Sequence, residues 1–208
     1  MKKVTKRILS VVAIIILLLS ICITAYASEI QPRIDFVATM KIVSFTGGGA
    51  FSAVGYDGHS FLIFTNTCNS NITVGHMPLA PGESVTVGTF GNRSAHVGIW
   101  YNIEGCYSTS TTTYALTTGL TVAELQRVNQ TINDNDSWSV TNNCSSFAVK
   151  VWNSGPSGYA VSGWNPTALV SSIKNNSNHT TNVSIPQKDS SDIARHTSTS
   201  YVYDSTGY

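Results

Sequence analysis

An α+β domain is what this chain of 208 residues predicts, built as an antiparallel sheet with a cysteine-bearing helix packed on it. Three observations carry that reading. From about residue 35 to residue 104, apolar side chains alternate with polar ones or run in short β-branched stretches, the signature of strands. From residue 120 the apolar spacing lengthens to three and four. Helix-start signals then appear at Thr121, at Asn142 and Asn143, and at Asn165.

In chain order, the first segment is not part of the fold. Lys2, Lys3, Lys6 and Arg7 precede an almost unbroken apolar run from Ile8 to Thr24, and Ala25-Tyr26-Ala27 ends it. A basic start, an apolar middle and a small-x-small site are the layout of a secretory signal peptide. Residues 1–27 are therefore read as signal and residues 28–174 as one α+β domain. An uncleaved anchor is the alternative, since the apolar run has roughly the length of a membrane span of ~18–20 residues. A lipoprotein site at Cys22 is disfavoured, because Ile21 stands where a small residue is needed.

Residues 35–46 are apolar and β-branched and read as a strand, broken by Gly47-Gly48-Gly49. Ala50 to Val54 reads as a short strand and Tyr56-Asp57-Gly58 as a turn. His59 to Thr65 is apolar on both faces, as a central strand covered on both sides would be. Ile72 to His76, Glu83 to Thr89 and His96 to Glu104 alternate again. Thr121 and Glu124 form a capping box, with Leu120 and Leu125 placed as its hydrophobic staple. Leu125, Val128 and Ile132 follow at helical spacing. Asn142 and Asn143 are N-cap candidates for a helix from Cys144 to Asn153, which Gly155 stops. Asn165-Pro166 opens a third helix to Lys174. Residues 175–208 are rich in Ser, Thr and Asn and poor in apolar side chains, and are expected to be a flexible extension, with added strands at Ile185 and Tyr201-Val202-Tyr203 as the alternative.

Composition narrows the function. Four of the 12 basic residues leave with the signal, so 8 remain against 11 acidic residues. That slightly acidic balance argues against nucleic-acid binding. No later apolar run is long enough to span a membrane, so no membrane role is expected after cleavage. The cysteines past the signal are Cys68, Cys106 and Cys144, an odd number in a compartment that permits disulfides. If a pair forms, Cys68–Cys106 is the expected one, leaving Cys144 free. No spacing suits a metal, and the chemistry below requires no cofactor.

Chemistry concentrates in Gly58-His59-Ser60-Phe61 and Asn142-Asn143-Cys144-Ser145-Ser146-Phe147. A cysteine in the first turn of a helix sits among N–H groups without intrahelical acceptors, at the positive end of the macrodipole. Both favour thiolate over thiol. The same N–H groups, at Asn143 to Ser145, would support an oxyanion. A histidine on a rigid strand can exchange a proton with the thiol and the leaving group, if a third polar group fixes its tautomer.

This pairing resembles the circularly permuted branch of the papain-like, NlpC-type thiol hydrolases, which includes the lecithin:retinol acyltransferase-like proteins and the permuted amidases. There the histidine strand precedes the cysteine helix, as here. Gly58-His59 matches the family's Gly-His strand entry, and Asn143-Cys144-Ser145-Ser146-Phe147 its Asn-Cys-x-x-Phe helix start. The resemblance covers about residues 50–175. One departure is that Ser145-Ser146 stands where the acyltransferase members carry an acidic or histidine residue.

The resemblance implies a third polar residue on the next strand. If Asn66 and Asn71 close a hairpin, His76 lies diagonal to His59 on the same face, and His76 is the first choice. Asp57, His96 and Glu104 are the alternatives. His96, His179 and His196 otherwise read as surface residues. Trp100, Trp138, Trp152 and Trp164 could line a groove, with Trp152 assigned to the core.

Three functions follow from this sequence. The first is a secreted cysteine hydrolase acting on amide bonds, with cell-wall peptides (peptidoglycan) as the expected substrate. The second is an acyltransferase or thioesterase using the same dyad. The third is a non-catalytic β-rich binding module with structural cysteines. An apolar groove beside the thiol would favour lipid or acyl substrates, and a polar cleft would favour peptides.

Overall fold

The computed structural model describes residues 35–47, 58–107, 111–156 and 158–207. The expected signal segment, the glycine break after Gly47, the Ala50–Val54 strand and Asp57 lie outside these residues. Eight strands form one sheet in the order β10-β9-β6-β5-β2-β1-β7-β8. They are β1 (Ala38–Thr46), β2 (Gly58–Asn66), β5 (Ser84–Phe90), β6 (Gly98–Tyr101), β7 (Tyr114–Leu120), β8 (Thr180–Thr181), β9 (Ala194–His196) and β10 (Tyr201–Tyr203). Every pairing is antiparallel. The strand of His59 is central, between β1 and β5.

The two faces of the sheet are covered differently. Along β1 and β2 the even-numbered Met40, Ile42, Leu62 and Phe64 face the helices α1 (Val122–Asn133), α2 (Cys144–Ser154) and α3 (Pro166–Lys174). The odd-numbered Val43, Phe45, Phe61 and Ile63 pack with Phe90, Trp100, Ile103, Ile185 and Ile193 on the other face. Period two thus places both sets in a core, which is why β2 carries almost no exposed position. Helix α2 buries Phe147, Ala148, Val151 and Trp152, spaced along one stripe, and that stripe holds the helix on β2. Truncating a side chain such as Phe147 there would cost roughly 3–5 kcal/mol.

The helix starts form as the caps direct. Thr121 and Glu124 close a full capping box on α1. Asn143 caps α2 and Asn165 caps α3, with Pro166 in the first helical turn.

Three departures from the sequence reading matter. Residues 175–207 are not a loose extension. They add β8, β9 and β10 at the two edges of the sheet, and Ile185, Ile193 and Ala194 are buried. Their apolar residues are few but fall where the second face of the sheet needs covering. Strand β7 fell in a Thr-rich stretch with little alternation and takes the outer edge of β1. Finally, the Ile72–His76 segment does not pair with β2. It forms β3 (Ile72–Val74), which pairs with β4 (Met77–Leu79) in a separate two-stranded sheet. Gly75, at φ +57°, and His76 are the two residues between Val74 and Met77, so the chain reverses there.

Candidate active site

The site lies in a notch where the middle of the sheet parts. β5 is paired with β2 over Leu62↔Val87 to Thr65↔Ser84, and no further toward the start of β2. It stays paired with β6 up to Phe90↔Gly98. The Asn66 N–H donates to Glu83 O on the β5 side. N–H directions alternate along a strand, so the Ser60 N–H points to that same side, beyond the end of the ladder. There it acts on Cys144, helping to lower the thiol's pKa.

His59 sits at the entry of β2, 1% exposed, with Phe61 stacked at 5.7 Å and Phe90 at 4.9 Å between centroids. Its Nε2 lies 2.9 Å from Glu104 Oε1, and the Cys144 thiol and the Glu104 carboxylate both act to raise its pKa. Glu104 is fully buried, and its other oxygen, Oε2, accepts from Thr86 Oγ1 at 2.6 Å. The chain delivers Glu104 by a tight turn. After β6, Asn102 takes a positive φ of 67°, a conformation asparagine tolerates, and Glu104 opens a short 3-10 helix, Glu104–Cys106. Gly88 makes room for the carboxylate: a Cβ there would collide with Glu104 Oε1 and crowd His59 Nε2 at 3.2 Å.

Electrostatics favour an ion pair. Burial alone pushes the His59 pKa down, but the hydrogen bonds to Cys144 and Glu104, with the charge of both, raise it to about 9. Burial alone pushes the Cys144 thiol up; the His59 hydrogen bond and charge, the Ser60 N–H and Ser145 outweigh it and bring the pKa below the ordinary thiol value. The position at the start of α2 adds a further bias toward thiolate.

The support residues have specific tasks. Asn143 Oδ1 accepts from the N–H groups of Ser145 and Ser146, and its Nδ2 donates to Val140 O at 3.0 Å and Trp164 O at 2.9 Å. Of the two expected oxyanion or support residues, Asn143 thus supports the helix start, and the Ser145 N–H is taken up by its cap. Cys144 stands at the first helical position, where a backbone N–H has no intrahelical acceptor. Val140 and Trp164, both tied to Asn143, are 79% and 72% exposed, the most exposed large apolar side chains among the described residues. Trp152 and Trp100 are buried.

His76 is not at this site. Its Nδ1 hydrogen-bonds Thr197 O and Ser200 O, and its ring stacks on His196 at 4.5 Å. The position assigned to it is occupied by Glu104, one of the alternatives. The register assumed for a β2–β3 hairpin is the cause, since β5 is the true neighbour of β2. Nor do Cys68 and Cys106 pair; both are free thiols. Cys68 Sγ is 3.2 Å from Ser70 O, and Cys106 Sγ is 3.5 Å from Asn102 O. His196, expected at the surface, is 1% exposed, and it and His96 bracket Asp136 at 3.2 and 2.8 Å. No group of residues that could hold a metal ion occurs among the described residues. No helix among them is long and apolar enough to cross a membrane.

Sequence reasoning missed Ser44 and Ser60. Both are fully buried on the helix-facing side of β1 and β2, opposite one another. The available signal was a serine beside apolar neighbours two residues away in each strand, Ile42 and Leu62. Compared with known proteins, the chain matches no family model, no curated protein and no solved structure.

Proposed function

We propose that this protein is a secreted cysteine hydrolase of the amidase or peptidase class, with Cys144 as nucleophile, His59 as general acid and base, and Glu104 orienting the imidazole. The observation that supports this most is the pairing of His59 Nε2 with a buried carboxylate at 2.9 Å beside a thiol whose pKa His59 lowers. A merely structural cysteine has no need of an oriented histidine. The order of histidine strand before cysteine helix supports a permuted papain-like arrangement, and the basic-apolar-small pattern of residues 1–27 supports export.

The chemistry proceeds in two halves. The Cys144 thiolate attacks the substrate carbonyl carbon, and the carbonyl electron pair moves to oxygen, beside the Cys144 N–H. As the tetrahedral species collapses, the amine leaves and takes the Nδ1 proton of His59. A thioester remains. Neutral His59 then removes a proton from water as the water oxygen attacks the thioester carbon. The C–S bond breaks, returning the thiolate and releasing the acid. Glu104 holds the Nε2 proton throughout, so Nδ1 faces sulfur in both halves.

The test is turnover of a peptidoglycan digest and of simple peptide amides by the mature chain and by Cys144→Ala. Release of amine by the wild type alone supports the reading; equal release by Cys144→Ala rejects it. Transfer or hydrolysis of acyl esters on the same three residues is a second reading. The exposure of Val140 and Trp164 beside the nucleophile's cap favours it. Preference for an octanoyl over an acetyl ester, lost in Trp164→Ala, would select that reading.

A further inference from the structure

Behind the Cys144 sulfur runs a line of three buried hydroxyls. Ser145 Oγ is 4.0 Å from Cys144 Sγ, Ser60 Oγ is 2.8 Å from Ser145 Oγ, and Ser44 Oγ is 2.8 Å from Ser60 Oγ. At the far end Ser44 Oγ reaches Pro166 O at 3.2 Å, with His59 O at 3.4 Å. All three serines have no exposed surface. They come from α2, β2 and β1, and Pro166 is the first residue of α3, so the line joins four elements.

The positions are not ones where hydroxyls are needed for packing. Ser44 and Ser60 follow two pairs in the same column, Met40 with Phe64 and Ile42 with Leu62, that are apolar and fully buried. Hydroxyls buried there must satisfy one another.

Three hydroxyls carry three protons, and the line has two complete orders. In one, Ser44 donates to Ser60, Ser60 to Ser145, and Ser145 to sulfur. In the other, Ser145 donates to Ser60, Ser60 to Ser44, and Ser44 to the Pro166 carbonyl. Both orders use every proton. They differ only in which end receives the last hydrogen bond. Interconversion needs rotation about three Cβ–Oγ bonds, and no proton changes owner. A charged acceptor draws donors more strongly than a neutral carbonyl, and successive bonds reinforce one another in a dry interior. A thiolate therefore favours the first order, and a thiol or thioester the second.

We propose that Ser44, Ser60 and Ser145 form a reversible hydroxyl relay that points at sulfur when Cys144 is a thiolate and at Pro166 O when the sulfur is neutral. The three are positioning residues, and none is placed to touch substrate. The inference rests on the reading of Cys144 as a reactive thiolate. Its distinctive consequence lies at Ser44, which has no contact with sulfur and is joined to it through Ser60 and Ser145.

The experiment is the pH dependence of Cys144 alkylation by iodoacetamide, in a Cys68→Ser, Cys106→Ser background so that one thiol past the signal is read. It needs no substrate. The parent protein is expected to react well below the ordinary thiol range. Ser44→Ala is expected to shift the profile upward and to slow labelling near neutral pH by about 3–10-fold, half to one pH unit. Ser145→Ala is expected to shift it at least as far. The double variant is expected to be no slower than Ser145→Ala, because a relay without its last member transmits nothing. Ser44→Thr keeps the hydroxyl and is expected to restore the parent profile. That variant separates the relay from packing, since a packing defect lowers thermal stability without moving the alkylation profile. A Ser44→Ala profile superimposed on the parent's overturns the relay, as do shifts that add in the double variant. A parent protein that labels only in the ordinary thiol range instead overturns the thiolate reading, and the relay with it.

Discussion

The charge state of two side chains sets the working range of the site. The raised pKa of His59 means that its protonated form contributes fully below its unfolded value near 6.5 and is lost as pH rises through about 9. The thiolate of Cys144, with its pKa lowered from 9.0, contributes above 9.0 and is lost as pH falls through the lowered value. Both charges therefore coexist only between the lowered thiol pKa and about 9. The rate profile is expected to be bell-shaped, with its alkaline limb near pH 9. Glu104→Gln removes a negative charge that helps to raise the His59 pKa, so its alkaline limb should move to lower pH. Activity should fall by on the order of 10²–10⁴-fold. An unchanged alkaline limb in that variant would remove Glu104 from its assigned role. Asn143→Ala deletes the cap and both tethers to Val140 and Trp164. It should cost about 1 kcal/mol or more in denaturant unfolding, with a thiol that alkylates more slowly at neutral pH.

At the scale of elements, the parting of β2 from β5 opens the notch in which the proposed site lies. One more step of pairing would take the Ser60 N–H away from sulfur. Gly88 keeps that part of the sheet open, because its missing side chain is the space Glu104 occupies. Gly88→Ala has no conformational penalty to overcome, since its φ is ordinary for a side-chain residue, so its effect must come from displacing Glu104 and crowding His59. The expectation is a loss of activity like that of Glu104→Gln, with stability lower by only about 1–3 kcal/mol. Thermal unfolding together with alkylation kinetics would check it. Loss of the whole fold, or full activity, would contradict the placement.

For the whole molecule, the C-terminal segment is what holds the carboxylate turn in place. Lys188 N–H donates to Gly105 O at 3.0 Å and Asn102 Nδ2 to Asp192 O at 2.9 Å, one bond on each side of Glu104. β9 then extends the sheet from β6, and His196 and His96 hold Asp136. Burial alone would push the Asp136 pKa up. His196, the Ile99 N–H and His96 bring it to about 2 instead, so its contribution to stability is present above about 4 and is lost as pH falls toward 2. A chain ending before Ile185 should therefore lose activity even where it still folds, because Glu104 loses its buttress. Asp136→Asn should flatten the acid limb of stability against pH. Denaturant unfolding from pH 2 to pH 6 would read the second effect, and an unaltered slope would count against it.

Much of this was legible in the residues because it is local. Caps at Thr121, Asn143 and Asn165 are satisfied within three or four residues, so their helices start where the sequence says. A strand apolar on both faces must be central, and His59 at its entry and Cys144 at a helix start follow from period and cap alone. What the sequence could not decide is which strand lies beside which. His76 was placed near His59 by assuming that consecutive strands pair. The Gly75-His76 reversal sent that segment into its own hairpin and left the place to β5, whose following turn brings Glu104. The C-terminal segment looked loose for the same reason, since its value lies in covering the face formed by residues far away in sequence. Strand register, the notch it opens, and the serine line across β1, β2 and α2 are non-local. Loop closure and the packing of distant surfaces select them, and no short window of sequence records either.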